Sequence, residues 1–311
     1  MKRVFIILIF IFSCSPERVD VPDPINVIDS TDPVIPVEYG LQEYEIEFDG
    51  LLRSFNIYVP ESYDPSTPVP MLFCFHGYGS NNQVIMNYTE FNDIADQDNF
   101  IVVYPQGTFL NGITHWNVGG WTVGSFVDDV AFVDFLIENI STNYSINAER
   151  IYSTGMSNGG YMSFLLACEL SNKIAAIASV TGSMTPQTFY SCQPQRAISI
   201  LQMHGTSDGV VPYSGNQAWT MGINTVVNYW RSHNSCSTGP VLIDIPDIYT
   251  FDNSTVQEIT YSNGNNNTMV RHYKVNGGGH DWFGAWGNRD IIASEIIWEF
   301  FSMYDINGLI N

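Results

Sequence analysis

The chain has 311 residues, 45% apolar and 14% charged, which suits one large domain with a substantial core. Its formal charge is −21, from 32 acidic against 11 basic residues. That balance excludes nucleic acid and an anionic lipid surface as partners, since both demand basic patches.

Residues 1–14 read as an export signal. Lys2 and Arg3 give a basic start, and Val4 to Phe12 form an apolar run too short to span a bilayer. Ser13-Cys14 then sets a small residue before a cysteine, the pattern of a bacterial lipoprotein signal in which Cys14 is lipidated. Ile11 fits that pattern and the bulky Phe12 departs from it. The alternative is ordinary secretion with cleavage nearby, and either reading takes the protein out of the cytoplasm. Residues 15–40 read as a tether, with Pro16, Pro22, Pro24, Pro33 and Pro36 alternating with acidic residues. Proline and like charges keep such a segment extended, at about 3 Å per residue. The expected membrane contact is through the lipid alone.

The folded domain is expected over residues 41–311. Tyr44 to Phe48 and Leu52 to Val59 predict two strands around an Asp49-Gly50 turn. Val69 to Phe75 is a continuous apolar run, the sign of a strand buried on both faces, and it ends at His76-Gly77-Tyr78-Gly79. A weak helical pattern over Tyr88 to Asp98 leads to a second buried strand, Phe100 to Tyr104. Asp128 to Tyr144 carries apolar residues at helical spacing, with two aspartates placed for the helix dipole. Strands are predicted at Ile151 to Thr154, Ile174 to Val180, Ala197 to Met203, Val256 to Tyr261 and Met269 to Val275. Helices are predicted after Gly160, over Asn224 to Ser232 and over Ile291 to Tyr304. Alternating buried strands and amphipathic helices imply an α/β fold with a mostly parallel central sheet and helices on both faces. Ligands then sit at the carboxyl ends of the strands.

Gly155-Met156-Ser157-Asn158-Gly159 lies between a predicted strand and a predicted helix, the context of a nucleophile elbow. The serine hydroxyl must project from a turn too tight for flanking side chains, and the helix N-terminus offers free N–H groups to developing charge. Three further loops end near the same edge. The first, His76-Gly77-Tyr78, can present the Tyr78 N–H beside that of Asn158 as an oxyanion hole. Asp208 follows a buried strand and is the candidate carboxylate, with Asp244, Asp247 and Asp252 as rivals in a proline-broken segment. His280 follows Gly277-Gly278-Gly279, giving the order Ser, Asp, His of α/β-hydrolases. His76, His204, His233 and His272 have duller places at strand ends or within elements, whereas His115 lies in a tryptophan-bearing loop within reach of substrate.

HGYGS, YPQG, DDVAF, RIYSTGMSNGGYMS, HGTSDGVVPY and GGGHDW, in this order, resemble the secreted esterase family of polyhydroxybutyrate depolymerases, feruloyl esterases and acetylxylan esterases. The resemblance spans roughly Glu43 to Tyr304. It implies an α/β-hydrolase fold in which Ser157 is the nucleophile, His280 the base and Asp208 its orienter. Relatives often carry a late cysteine partner for Cys236, but Asn265, Asn266 and Asn267 occupy that region here, which leaves Cys236 unpaired. Cys74 sits in a buried strand as a core thiol, and Cys168 with Cys192 is the candidate disulfide. No zinc-ligand spacing and no phosphate loop occur, so neither a metal nor a cofactor is expected.

Trp116, Trp121, Trp282 and Trp286 lie on loops expected to border the site, with Trp282 the leading candidate for substrate contact. The favoured substrates are feruloyl or acetyl esters of plant cell-wall polysaccharide. The alternatives are depolymerisation of polyhydroxybutyrate and, without catalysis, glycan binding by a surface lipoprotein.

Overall fold

The computed structural model describes residues 26–28 and 38–310. The export signal, Cys14 and most of the tether therefore lie outside the described residues. One short piece of the tether, β1 (Asn26–Ile28), runs parallel to β2.

β2 (Gly40–Phe48) and β3 (Leu51–Val59) form the expected antiparallel hairpin. β4 (Val69–Phe75) follows, then two helices, α1 (Asn82–Thr89) and α2 (Phe91–Asp98), where a single helical stretch was expected. Glu90 divides them in a left-handed conformation with φ 54°, serving as C-cap of one and N-cap of the next. β5 (Ile101–Pro105) precedes a short hairpin, β6 (Thr108–Leu110) and β7 (Ile113–His115), and then α3 (Asp129–Asn143). β8 (Ile146–Met156) and α4 (Asn158–Glu169) flank the elbow. β9 (Ala176–Val180), α5 (Pro186–Ser191), β10 (Ser199–Gly205) and α6 (Ile223–His233) come next. β11 (Thr238–Ile245), β12 (Thr255–Ser262) and β13 (Val270–Asn276) precede α7 (Ala293–Ser302) and a small hairpin, β14 (Tyr304–Asp305) with β15 (Gly308–Leu309).

Eleven strands make one sheet in the order β1-β2-β3-β5-β4-β8-β9-β10-β13-β12-β11. The six from β5 to β13 are mutually parallel, and antiparallel pairs close both flanks. β4 shows why its sequence is apolar throughout. Met71, Phe73 and Phe75 enter one core with residues of α3, α4 and α6, while Leu72 and Cys74 enter the other with residues of α1, α2 and α7. A strand alternates its side chains, so burial under helices on both faces favours an apolar residue at every position.

Asp128 and Asp129 divide the work at the start of α3. Asp128 caps the helix by accepting the Ala131 N–H at 2.9 Å. Asp129 turns inward, where its Oδ1 meets Arg53 Nη2 at 2.7 Å and its Oδ2 accepts the Asn117 N–H at 2.7 Å. The Arg53 guanidinium also lies 3.8 Å over the Phe132 ring. This buried pair ties the β3 hairpin to the loop carrying Trp116.

Cys168 and Cys192 form a disulfide joining the end of α4 to the residue after α5, and Cys74 and Cys236 are buried free thiols. Replacing both bridged cysteines by alanine is expected to cost about 3 kcal/mol and lower Tm by roughly 6–10 °C, because a short closed loop is released in the unfolded chain. Thermal denaturation measures it, and an unchanged Tm would show that the bridge adds nothing to stability. Among the described residues no helix is long and apolar enough to cross a membrane.

Candidate active site

β8, β9, β10 and β13 are neighbours in the sheet, so their carboxyl ends form one rim. Ser157 comes one residue after β8, Asp208 three after β10 and His280 four after β13. Residues far apart in sequence are thus gathered by strand order alone.

Ser157 sits at φ 53°, ψ −119°, a left-handed conformation that costs a non-glycine residue on the order of 1–3 kcal/mol. The surroundings hold it there. Its N–H donates to the Val180 carbonyl at 2.9 Å, and its own carbonyl accepts the Tyr161 N–H at 3.0 Å. The turn is tight because α4 starts against the end of β4. A Cβ on Gly155 would lie 2.6 Å from the Phe75 carbonyl oxygen, and one on Gly159 would strike the same oxygen. Hence the pattern demands glycine on both sides of the serine.

His280 Nδ1 lies 2.8 Å from Asp208 Oδ2, and the Asp208 side chain is fully buried. The other carboxylate oxygen accepts the N–H groups of Val210 and Val211, each at 2.8 Å. Burial by itself would raise this carboxyl's pKa. Hydrogen bonds from His204, His280 and the Val211 N–H, with the His280 charge, outweigh it and hold Asp208 well below the usual carboxylate range. The two loops are also laced together. Thr206 N–H donates to the Val275 carbonyl at 2.8 Å, Ser207 N–H to that of Gly278 at 2.9 Å, and Gly277 N–H to Thr206 Oγ1 at 2.9 Å. Asp208 and His280 are therefore positioned as one unit. Two of the three rival acids are otherwise engaged, Asp252 with Ser254 and the Arg289 N–H, and Asp244 with Gln257.

Among the described residues neither the Tyr78 nor the Asn158 backbone N–H donates a hydrogen bond. Asn158 is the first residue of α4, where an N–H has no partner within the helix. The loop bearing Tyr78 is braced by His76, whose Nδ1 donates to the Gly77 carbonyl at 2.8 Å and whose Nε2 accepts the Gly107 N–H at 3.0 Å. Burial pushes the His76 pKa down to about 4, so the ring is neutral and able to accept that bond.

Several aromatic expectations need correction. Trp116 is fully buried. Its backbone N–H and carbonyl are both bonded to the Asn158 side chain, at 2.7 and 3.1 Å, and its Nε1 donates to the His76 carbonyl at 3.0 Å. His115 is buried as well, held by the Thr108 carbonyl at 3.0 Å and Ser125 Oγ at 2.8 Å. Trp282 is only 1% exposed, with Tyr88 and Phe91 against its ring and Nε1 donating to Ser294 Oγ. Trp121 is the exception: it is partly buried and packs edge to face with Tyr78 at 5.6 Å and Tyr161 at 5.7 Å, beside the candidate oxyanion donors.

His204 was passed over in the sequence, yet its Nε2 lies 3.3 Å from Asp208 Oδ2 and 2.9 Å from the Val211 carbonyl. It meets the same carboxylate oxygen as His280. The four-residue interval from His204 to Asp208, across a glycine turn, is the only sequence signal for it.

The architecture is matched by solved structures. An acetyl xylan esterase from Aspergillus awamori superposes with a TM-score of 0.60 at 14% identity, covering 80% of this chain and 94% of that one. The protein thus has the α/β-hydrolase fold, the class in which serine hydrolases are built. Residues 51–289 match the Esterase family, described as "Putative esterase", and the chain belongs to that family. Among curated relatives, a bifunctional acetylxylan esterase/xylanase of Neocallimastix patriciarum is 26% identical over 86% of this chain and 36% of its own length. Feruloyl esterase D of Neurospora crassa is 29% identical over 55% of this chain and 58% of its own. The aligned regions therefore cover less than two thirds of these relatives.

Proposed function

We propose that the protein is an exported serine carboxylic-ester hydrolase acting on feruloyl or acetyl esters of plant cell-wall polysaccharide. The observation that supports it most is the 2.8 Å contact between His280 and buried Asp208, on the rim that presents Ser157 in a strained turn. The feruloyl and acetylxylan esterases among its relatives support the choice of ester. In this reading Ser157 Oγ attacks the ester carbonyl carbon while His280 Nε2 takes its proton. The Tyr78 and Asn158 N–H groups receive the oxyanion. Collapse expels the alcohol, which leaves with the proton from His280, and water repeats the sequence on the acyl-enzyme to release the acid.

Export with an anchor at Cys14 belongs to the same reading. The buried disulfide supports it, since such bonds persist in oxidising compartments.

A fluorophosphonate separates this reading from simple glycan binding. Ser157 is expected to form an O–P bond with loss of fluoride, seen by mass spectrometry on its peptide; an unlabelled protein would point to a binder. Turnover of methyl ferulate, acetylated xylan and hydroxybutyrate oligomers then sets the substrate. The first or second should give the highest kcat/KM, and preference for the third would make the protein a polyester depolymerase.

A further inference from the structure

A cavity of about 610 Å³ opens between α1, α2, the loop after His280 and the start of α7. Its walls carry the rings of Tyr88 and Trp286, backed by the buried Trp282, and the carboxylates of Glu90, Asp93 and Glu295. Tyr88 and Trp286 meet edge to face at 4.8 Å. The Tyr88 hydroxyl donates to Met156 Sδ at 3.5 Å, and Met156 immediately precedes Ser157. Trp282 lies two residues past His280. The inner wall is therefore one hydrogen bond from the residue before Ser157 and two residues along the chain from His280.

The chemistry of the walls narrows the occupant. No lysine, arginine or histidine lines the cavity. The side-chain oxygens of Glu90, Asp93 and Glu295 accept no hydrogen bond among the described residues. An anion would be repelled. A ligand that lays C–H faces on aromatic rings and turns O–H donors to free carboxylates is satisfied on both counts, and a neutral sugar is such a ligand. The volume falls within the about 300–1,000 Å³ of ordinary small-molecule sites.

We propose that this cavity is a saccharide subsite, holding neutral sugar residues of the polysaccharide whose ester is cleaved at Ser157. The proposal rests on the polysaccharide-ester reading above and deepens it, with Trp286 as a specificity-determining residue. Contacts with sugars remote from the ester hold polymeric substrates in place and give short aryl esters nothing.

The test uses the full chain and three probes: unesterified xylohexaose, acetylated xylo-oligosaccharides and p-nitrophenyl acetate. Trp286→Ala is expected to weaken xylohexaose binding and raise KM for the acetylated oligosaccharides by about tenfold. kcat/KM for p-nitrophenyl acetate should stay within about twofold. Should that variant fail to fold, the exposed pair Glu90→Gln with Asp93→Asn is expected to raise the same KM by about fivefold. An unchanged KM on the acetylated oligosaccharides in a folded variant overturns the subsite. So does binding of tetramethylammonium in place of xylohexaose. Wild-type enzyme that hydrolyses p-nitrophenyl acetate but no polysaccharide ester would instead overturn the substrate reading.

Discussion

Ser157→Ala is expected to lower kcat for ester hydrolysis by about 10⁶-fold, the loss typical when a triad nucleophile is removed. Stability should move by no more than about 0.5 kcal/mol. The reasons lie in the turn. Alanine keeps the Cβ that the φ 53° position already accommodates, and the backbone bonds to Val180 and Tyr161 are untouched. Among the described residues Ser157 Oγ makes no hydrogen bond, so its removal strands no partner. On the proposed mechanism what survives is binding by the N–H groups of Tyr78 and Asn158, worth about 10³-fold over water. Steady-state turnover of p-nitrophenyl acetate, with thermal unfolding in parallel, is the measurement. Turnover within tenfold of wild type would remove Ser157 as nucleophile.

Asp208→Asn is expected to lower kcat by about 10⁴-fold and to cost about 2 kcal/mol of stability at neutral pH. An asparagine must keep its oxygen toward the Val210 and Val211 N–H groups, as Asp208 Oδ1 does at 2.8 Å. Its NH₂ group then faces His280 Nδ1, donor against donor. The imidazole must move its proton to Nε2, the nitrogen that should take the proton of Ser157. The stability loss has a defined pH dependence. The Asp208 pKa is depressed in the folded protein, so the carboxylate's contribution is fully present above the unfolded value of about 3.9 and fades as pH falls through the folded value. Wild type and variant should therefore converge in acid, which urea unfolding at several pH values will show. A variant retaining a tenth of wild-type turnover would assign the orienting role to another acid.

The parts legible in the sequence were those with one physical explanation. β4 and β5 are covered by helices on both faces and so are apolar without interruption. The elbow is legible because only glycine fits within reach of the Phe75 carbonyl. Asp208 and His280 stand just past strand ends, which topology turns into neighbours. The tryptophans were not legible, because a ring on a glycine-rich loop is aimed by partners elsewhere in the chain. Trp116 is turned inward by the Asn158 amide, and Trp282 by Ser294, and neither pairing leaves a periodic trace. The break at Glu90 was hidden for a similar reason: a left-handed glutamate joins two helices where composition suggests one. β11 carries Pro240 and is exposed for most of its length, so it lacks the alternation that marks a half-buried strand.

The backbone-to-backbone fit around Gly155 and Gly159 also limits how such an enzyme can diversify. With no room for even one methyl group on either side of the serine, the reactive turn offers almost no latitude to mutation. New preferences must arise in other loops that follow the strands, such as the hairpin at residues 108–115 and the stretch around Trp121. On the proposed function, a library confined to those segments would vary what is cleaved while leaving Ser157 and its flanking glycines alone.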